Sequence, residues 1–127
     1  MTVDRVIVQD AGSDVRDAAE VHEGEGTIRI SRFFRGQLRM PVHLQLWELA
    51  PGVTEGAHTH RSDDPDDAWE ELYYVLSGTG RLLLPDAALE LHAGQAVLVP
   101  TDVDHGVAAV GSEPLRILLL FGKTGSG

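Results

Sequence analysis

Short apolar segments with a period of two recur along this chain, and glycine and proline separate them at short intervals. Neighbouring side chains of a strand point to opposite faces, so this alternation indicates strands with one buried face. The pattern predicts nine strands, at Gly26–Phe34, Val42–Leu49, Ala57–His60, Glu70–Leu76, Arg81–Leu84, Ala88–His92, Ala96–Val99, Gly106–Val110 and Leu115–Phe121. Nine short strands are typical of a β-sandwich or β-barrel, so we expect an all-β fold with little helix.

One segment before the first predicted strand is a helix candidate. Ser13–His22 begins with a serine that can cap a helix and continues with helix-tolerant residues, although a loop or an irregular arm is the alternative. The chain is therefore divided into an N-terminal arm at 1–25 that can form a dimer, a barrel at 26–122 and a flexible tail at 123–127.

Composition limits the functions that such a barrel can have. With 20 acidic and 10 basic residues in 127, the net charge of −10 opposes binding to nucleic acid or to anionic membranes. The sequence has no cysteine, which excludes disulfides, thiolate catalysis, zinc fingers and iron–sulfur clusters. Any bound metal must therefore use nitrogen or oxygen ligands.

The apolar segments also bear on location. The N-terminal segment has charged residues every few positions, and no apolar run is long enough to span a bilayer. We therefore expect a cytoplasmic protein.

A group of histidines and glutamates is the strongest sign of chemistry. His58 and His60 are two positions apart, so on a strand both imidazoles leave the same face. Glu70 and Glu71 leave opposite faces of the next strand, so only one of them can face the histidines. Imidazole and carboxylate together suit Fe, Mn, Co, Ni, Cu or Zn rather than calcium. The alternative is a polar turn with exposed histidines.

Two patterns bounded by glycine extend this group. Five residues lie between Gly52 and His58, and six lie between Glu71 and Gly78. Further on, Gly94 is followed after five residues by Pro100 and then by His105. These patterns resemble the two motifs of the cupin superfamily, in particular its small single-domain type with one conserved β-barrel. The resemblance implies an antiparallel jelly-roll whose ligands for a divalent transition metal are His58, His60, Glu71 and His105.

The chain departs from the cupin motifs at three places. Ten residues separate His60 from Glu71, where the family usually has three or four, but lengthening a surface loop costs little closure entropy. Asp102 replaces a glycine, and aspartate tolerates the left-handed conformations found in turns. Ala109 replaces an asparagine that is not a ligand in the family. All four ligand positions are retained, so the resemblance still implies metal binding.

Further side chains are candidates for the substrate pocket. Tyr73 lies on the same face as Glu71 and is expected to bind substrate or a metal-bound water, or else to fill the barrel as a buried aromatic residue. Gln45 and Trp47 share one face of their strand and line the pocket if that face is inward, although Trp47 as plain core is the stronger alternative.

The long acidic loop before Glu71 has two interpretations. Asp63, Asp64, Asp66 and Asp67 are expected to be solvated, as charge runs in loops usually are. In the other interpretation, the loop is a lid whose tip carries Trp69 toward the pocket.

Four ligands leave one or two metal positions open for a substrate or dioxygen. We therefore expect a metal-dependent enzyme acting on a small organic molecule that has an apolar or aromatic body and a chelating pair of oxygens. Within that class the narrow prediction is a dioxygenase-type oxidoreductase. The alternatives are a metal-dependent isomerase, cyclase or decarboxylase, and a non-catalytic cupin that binds a small molecule. By family analogy, a homodimer is expected.

Overall fold

The computed structural model describes residues 2–124 and contains twelve β-strands within that range. One three-residue 3-10 turn, Val21–Glu23, is the helical element described there. The strands are β1 (Thr2–Val3), β2 (Val6–Ile7), β3 (Val15–Ala19), β4 (Thr27–Phe33), β5 (Val42–Leu49), β6 (Thr54–His58), β7 (Trp69–Ser77), β8 (Thr79–Leu84), β9 (Ala87–His92), β10 (Ala96–Val99), β11 (His105–Val110) and β12 (Leu115–Lys123).

The strands form two main antiparallel sheets. The larger sheet has the order β10-β7-β12-β5-β4-β3 and the smaller one β6-β11-β8-β9, while β1 and β2 form a separate hairpin. Buried side chains of both main sheets belong to one apolar core. The predicted all-β jelly-roll is therefore confirmed, and the predicted bounds of β5 and β10 agree with the structure.

Alternation along the strands decides which side chains enter the barrel. In β5, Trp47 and Leu49 are buried, and they pair with Ile117 and Leu115 of β12. On β7 the same alternation buries Glu71, Tyr73 and Val75. The inner face of β7 therefore has the carboxylate of Glu71 near its start and the side chains of Tyr73 and Val75 further along. A polar group thus lies at one end of an apolar core.

The helix predicted at Ser13–His22 is wrong. Residues 15–19 form the edge strand β3, in which Val15 pairs with Ser31 and Ala18 with Ile28 of β4. Apolar and polar residues alternate only weakly in β3, because an edge strand that is mostly exposed needs few apolar residues. Ala18 is the buried residue of this strand. The N-terminal segment therefore adds a strand to the large sheet within the same chain.

Most other strand bounds differ by one to three residues from the sequence-based prediction, and those of β6 and β12 are examples. Strand β6 begins at Thr54, three residues before the predicted Ala57, and ends at His58. Lys123, the first residue of the predicted tail, is the last residue of β12, and 125–127 lie outside the described residues. Among the helical residues described, none belongs to a segment long and apolar enough to cross a membrane.

Candidate metal centre

The four predicted ligands meet at the polar end of the barrel. Glu71 comes from the large sheet, while His58 ends β6, His60 follows it, and His105 begins β11. The Nε2 atoms of His60 and His105 each lie 3.0 Å from Glu71 Oε1, and His58 Nε2 lies 3.7 Å from the same oxygen. Three imidazoles therefore converge on one carboxylate oxygen, which is the arrangement that the cupin resemblance implied.

The other ring nitrogen of each histidine is held by an oxygen acceptor. His58 Nδ1 donates to the Gly56 carbonyl at 3.0 Å, and His105 Nδ1 donates to the Val103 carbonyl at 2.9 Å. Because these oxygens can only accept, Nδ1 carries the hydrogen and the Nε2 lone pair is available for a metal. The backbone thus sets both the tautomer and the direction of these two rings.

The third histidine is held by the acidic loop. His60 Nδ1 lies 2.9 Å from Asp67 Oδ1, and Asp67 Oδ2 accepts the backbone N–H of Arg61 at 3.1 Å. The expectation that all four loop aspartates are solvated is therefore wrong for Asp67, because the loop folds back on the site. Asp63 and Asp66 do point into solvent. A carboxylate that orients a ligand histidine is a common partner in metal sites.

The turn before His105 is tied to the same loop. Asp102 has φ 68°, so this aspartate does adopt the left-handed conformation expected where the family has glycine. Its backbone N–H donates to the His60 carbonyl at 2.7 Å, and its carboxylate accepts the Ser62 N–H at 2.9 Å. Hydrogen bonds that do not involve the metal-ligating atoms thereby connect the two sequence motifs.

Electrostatics stabilise the ionised form of the central carboxylate. Burial raises the pKa of Glu71, but the hydrogen bond from His105 and the interactions with His58 and His60 outweigh it and hold the pKa well below its ordinary value. Burial lowers the pKa of His58 and of His105, but interactions with the Glu71 carboxylate and with other nearby acceptors outweigh that effect and raise both. The surroundings of Glu71 therefore favour the protonated forms of His58 and His105, and a bound metal must displace such protons.

Tyr73 lies inside the barrel next to the ligands. Its side chain is 1% exposed, and its hydroxyl donates to Glu71 Oε2 at 3.2 Å. Burial and the neighbouring carboxylates of Glu55 and Glu71 raise the pKa of Tyr73 well above its ordinary value. The phenol therefore stays protonated and acts as a hydrogen-bond donor.

Sequence reasoning missed Glu55, a second buried carboxylate in the barrel. Across the β6–β11 ladder His58 pairs with His105 and Glu55 with Val107, so three steps along β6 match two along β11. This β-bulge puts Glu55 on the inner face with His58, whereas strict alternation puts it on the outer face. Burial raises the pKa of Glu55 to about 7. The glycine at position 56, between Glu55 and His58, was the available signal for the bulge.

His22 is a second residue that the sequence did not connect with the site. Its ring stacks on His58 with centroids 3.7 Å apart and planes 9° apart. The 3-10 turn that carries it passes so close to β6 that a Cβ on Gly56 would lie 1.8 Å from the His22 carbonyl oxygen. His22 therefore covers the outer side of a ligand ring, and Gly56 permits that contact.

The predicted pocket residues occupy different places. Trp47 is 6% exposed in the core, and its indole N–H donates to Gln45 Oε1 at 2.8 Å. Gln45 and Trp69 line a cavity of about 310 Å³ together with Arg32, Arg35, His43 and Lys123. Trp69 is the first residue of β7 rather than the tip of the loop, and its ring packs edge-on against His43 and Phe121. None of the four predicted ligands, all of them described, lines this cavity.

The donor set fits a divalent transition metal. Ligand atoms of His58, His60 and Glu71 lie within 4.8 Å of one another, and His105 Nε2 is in contact with the same carboxylate. Metal–ligand bonds of about 2.0–2.2 Å around one ion require donor atoms at such separations. The nitrogen-rich donors with one carboxylate suit Fe, Mn, Co, Ni, Cu or Zn.

Comparison with known proteins agrees with this geometry. Residues 45–121 match the family model described as "Cupin domain". An uncharacterized protein of Methanocaldococcus jannaschii is 35% identical over 49 residues, which is 39% of this chain and 39% of that protein. The match thus spans well under half of that relative's length.

Solved structures share the fold at low sequence identity. A predicted oxalate decarboxylase from Thermotoga maritima superposes with a TM-score of 0.80 and 17% identity over 93% of this chain and all of that one. A Cupin 2 conserved barrel domain protein from Salinispora arenicola gives 0.74 and 19%, covering 94% and 90% of the two chains. The polyketide cyclase RemF from Streptomyces resistomycificus gives 0.73 and 21%, covering 96% and 83%. The likeness at these identities concerns the fold.

Proposed function

This chain belongs to the cupin domain family, and on that premise we propose that it is a metal-dependent enzyme acting on a small organic molecule. The observation that carries the proposal is the convergence of three histidine Nε2 atoms on one oxygen of Glu71. An oxygen acceptor holds the Nδ1 atom of each ring, so the Nε2 lone pairs of all three histidines point toward the same place.

A bound redox-active ion would activate an oxygen-bearing substrate toward dioxygen, whereas a redox-silent ion would polarise its carbonyl group. Our first candidate reaction is a dioxygenase-type oxidation, because a thiolate-free set of histidines and carboxylate suits Fe, Mn, Ni or Cu. The chain would orient the imidazole rings of the ligands, and the buried side chains of Tyr73, Val75 and Leu119 would exclude water from the inner wall of the barrel.

A second candidate is proton-transfer chemistry of the isomerase, cyclase or decarboxylase type. Tyr73 favours it, because its hydroxyl is buried, stays protonated and donates to Glu71 Oε2. A proton donor beside an open metal position is useful when a carbon–carbon bond breaks or a carbonyl moves. Two of the solved neighbours are called a polyketide cyclase and a predicted oxalate decarboxylase.

The cavity lined by Gln45 and Trp69 is our candidate for the body of the substrate. It combines an indole face with cationic groups of Arg32, Arg35 and Lys123, which suits an aromatic or apolar molecule that carries a negative charge. The substrate would reach the centre past Phe121, which lies beside Glu71 in the sheet register.

A homodimer in the cytoplasm belongs to the same proposal. Support for the dimer comes from large side chains on the outer face of the large sheet, where Leu72 is 40%, Tyr74 44% and Leu98 58% exposed. Adjacent exposed apolar residues on one face are typical of an interaction surface. Light scattering of the purified protein measures this directly.

Metal content and oxygen uptake together test the proposal. Protein purified without chelator is analysed for metals, reloaded with Fe(II), Mn(II) or Zn(II), and screened in an oxygen electrode against catechols, flavonols and β-diketones. Substrate-dependent oxygen uptake with Fe or Mn supports the oxidation. Turnover with Zn(II) and no oxygen uptake supports the second candidate. A protein that binds none of these ions contradicts the whole proposal.

A further inference from the structure

The buried carboxylate of Glu55 has an oxygen without a partner. The side chain is 1% exposed, and among the described residues nothing hydrogen-bonds its Oε1. Its other oxygen, Oε2, lies 3.8 Å from His58 Nε2, which is too long for a hydrogen bond. Buried carboxylates are normally hydrogen-bonded, paired with a cation or bound to a metal.

The groups around Glu55 do not supply a cation of its own. Those that act on its charge are His58, Glu71 and His105, together with Tyr73, which reaches it through a side-chain hydrogen bond. His105 Nε2 is engaged with Glu71, 3.0 Å from its Oε1. His58 Nε2 lies almost equally far from both carboxylates, 3.7 Å from Glu71 Oε1 and 3.8 Å from Glu55 Oε2. Two carboxylates thus face the same small volume and repel each other, and one divalent ion between them would remove that repulsion.

We infer that Glu55 is a fifth protein ligand of the metal centre, which then has three histidines and two carboxylates. This inference rests on the proposed metal-dependent function. The β-bulge supplies the geometry, because it aims Glu55 and His58 at the same side of β6. Glu55 is one of the five unspecified residues between Gly52 and His58 in the first motif, which is why neither motif spacing nor strand alternation identifies it.

His22 does not form a separate second site with Glu55 and His58, although the three side chains are close together. The His58 Nδ1 donates to the Gly56 carbonyl, so Nε2 is the single free ligand atom of that ring. The His22 ring stacks parallel to His58 at 3.7 Å, and the lone pairs of parallel rings run side by side instead of meeting at one ion. Within residues 2–124 these side chains therefore form one centre, and His22 covers it.

A fifth ligand changes the chemistry that the centre can support. Five protein ligands leave one open position on a six-coordinate ion, so a substrate binds through a single oxygen. Two anionic oxygens neutralise the charge of a divalent ion, and the oxygen-richer set favours Mn(II) or Fe(II) over Cu(II). The substrate class is therefore narrowed to molecules with one metal-binding oxygen, held in place by the surrounding pocket.

Manganese binding to matched variants tests the inference without any substrate. Wild type, Glu55→Gln and Glu70→Gln are compared by Mn(II) titration and by water proton relaxation, which counts the waters on bound Mn(II). Glu70 is the control because it is exposed on the outer face of β7. Loss of an outer partner of a ligand costs about 10–100-fold in metal affinity. We expect Glu55→Gln to weaken Mn(II) binding by at least that factor and to add one coordinated water.

The possible outcomes separate this inference from the proposed function. If Glu55→Gln binds Mn(II) with the wild-type affinity and water number, Glu55 is not a ligand and the four-ligand centre stands. If wild type binds no divalent transition metal, the inference and the proposed function both fail. Far-ultraviolet circular dichroism shows that each variant is folded. Glu55→Asp, which keeps the charge but is shorter, is expected to show intermediate affinity.

Discussion

Replacing Glu55 by glutamine should stabilise the metal-free protein, and the gain should grow with pH. Burial raises the pKa of Glu55 from 4.5 to about 7. An acid with a raised pKa keeps its proton in the folded state after the unfolded chain has lost it. Folding therefore loses stability as the pH rises from about 4.5 to about 7. Glutamine has the shape of the protonated acid and does not titrate.

The two pKa values set the size of the effect. With one pKa unit equal to about 1.4 kcal/mol, ionisation of Glu55 costs about 0.8 kcal/mol at pH 5 and about 3.3 kcal/mol at pH 8. The advantage of Glu55→Gln over wild type should therefore increase by about 2.5 kcal/mol between these pH values.

Urea denaturation in the presence of EDTA measures this difference. Wild type, Glu55→Gln and the exposed control Glu70→Gln are unfolded at pH 5, 6, 7 and 8, and the free energies of unfolding are compared. An advantage of Glu55→Gln that stays the same at pH 5 and pH 8 would refute the reasoning. A pH-dependent change of the same size in Glu70→Gln would also refute it, because that side chain is exposed.

Three other substitutions test the site. His105→Ala should abolish metal binding, because it removes one of the converging Nε2 atoms. Retention of metal by that variant would contradict the ligand assignment. The control is His92→Ala, because His92 is exposed at the end of β9. Asp67→Asn should weaken metal affinity about 10–100-fold without abolishing it, while Asp63→Asn should leave it unchanged in the same titration. Gly56→Ala should cost about 1–3 kcal/mol in urea denaturation, because the added methyl meets the backbone of the 3-10 turn; an unchanged midpoint would disprove that contact.

Local pattern was sufficient to predict most of the barrel, and the two motifs singled out four side chains that meet at its polar end. In β7, and in β12 from Leu115 to Leu119, burial alternates with a period of two, so period and burial agree. Glu71 was identified from its spacing to Gly78, and the structure places it among the histidines. The longer loop is tolerated because strands β6, β7 and β11 position His58, Glu71 and His105, while Asp67 of the loop itself holds His60.

The features that sequence missed depend on contacts between distant segments. Strand β3 is defined by its pairing with β4, and a short edge strand with one buried alanine has too little pattern of its own. Glu55 was missed because a β-bulge interrupts the period of two, and a bulge exists only relative to the partner strand. Asp67 resembled its solvated neighbours, and only the folding of the loop onto His60 distinguishes it.

The anchoring of the acidic loop has a practical consequence for protein engineering. Ser62 is held by Asp102 at one end of the loop, and Asp67 is held by His60 at the other. The four positions between them are exposed, and Asp66 is 97% accessible. A peptide tag or a whole reporter domain inserted beside Pro65 would therefore be flanked by two anchored residues, Ser62 and Asp67. The insertion would lie a few residues from the metal ligands without displacing those ligands.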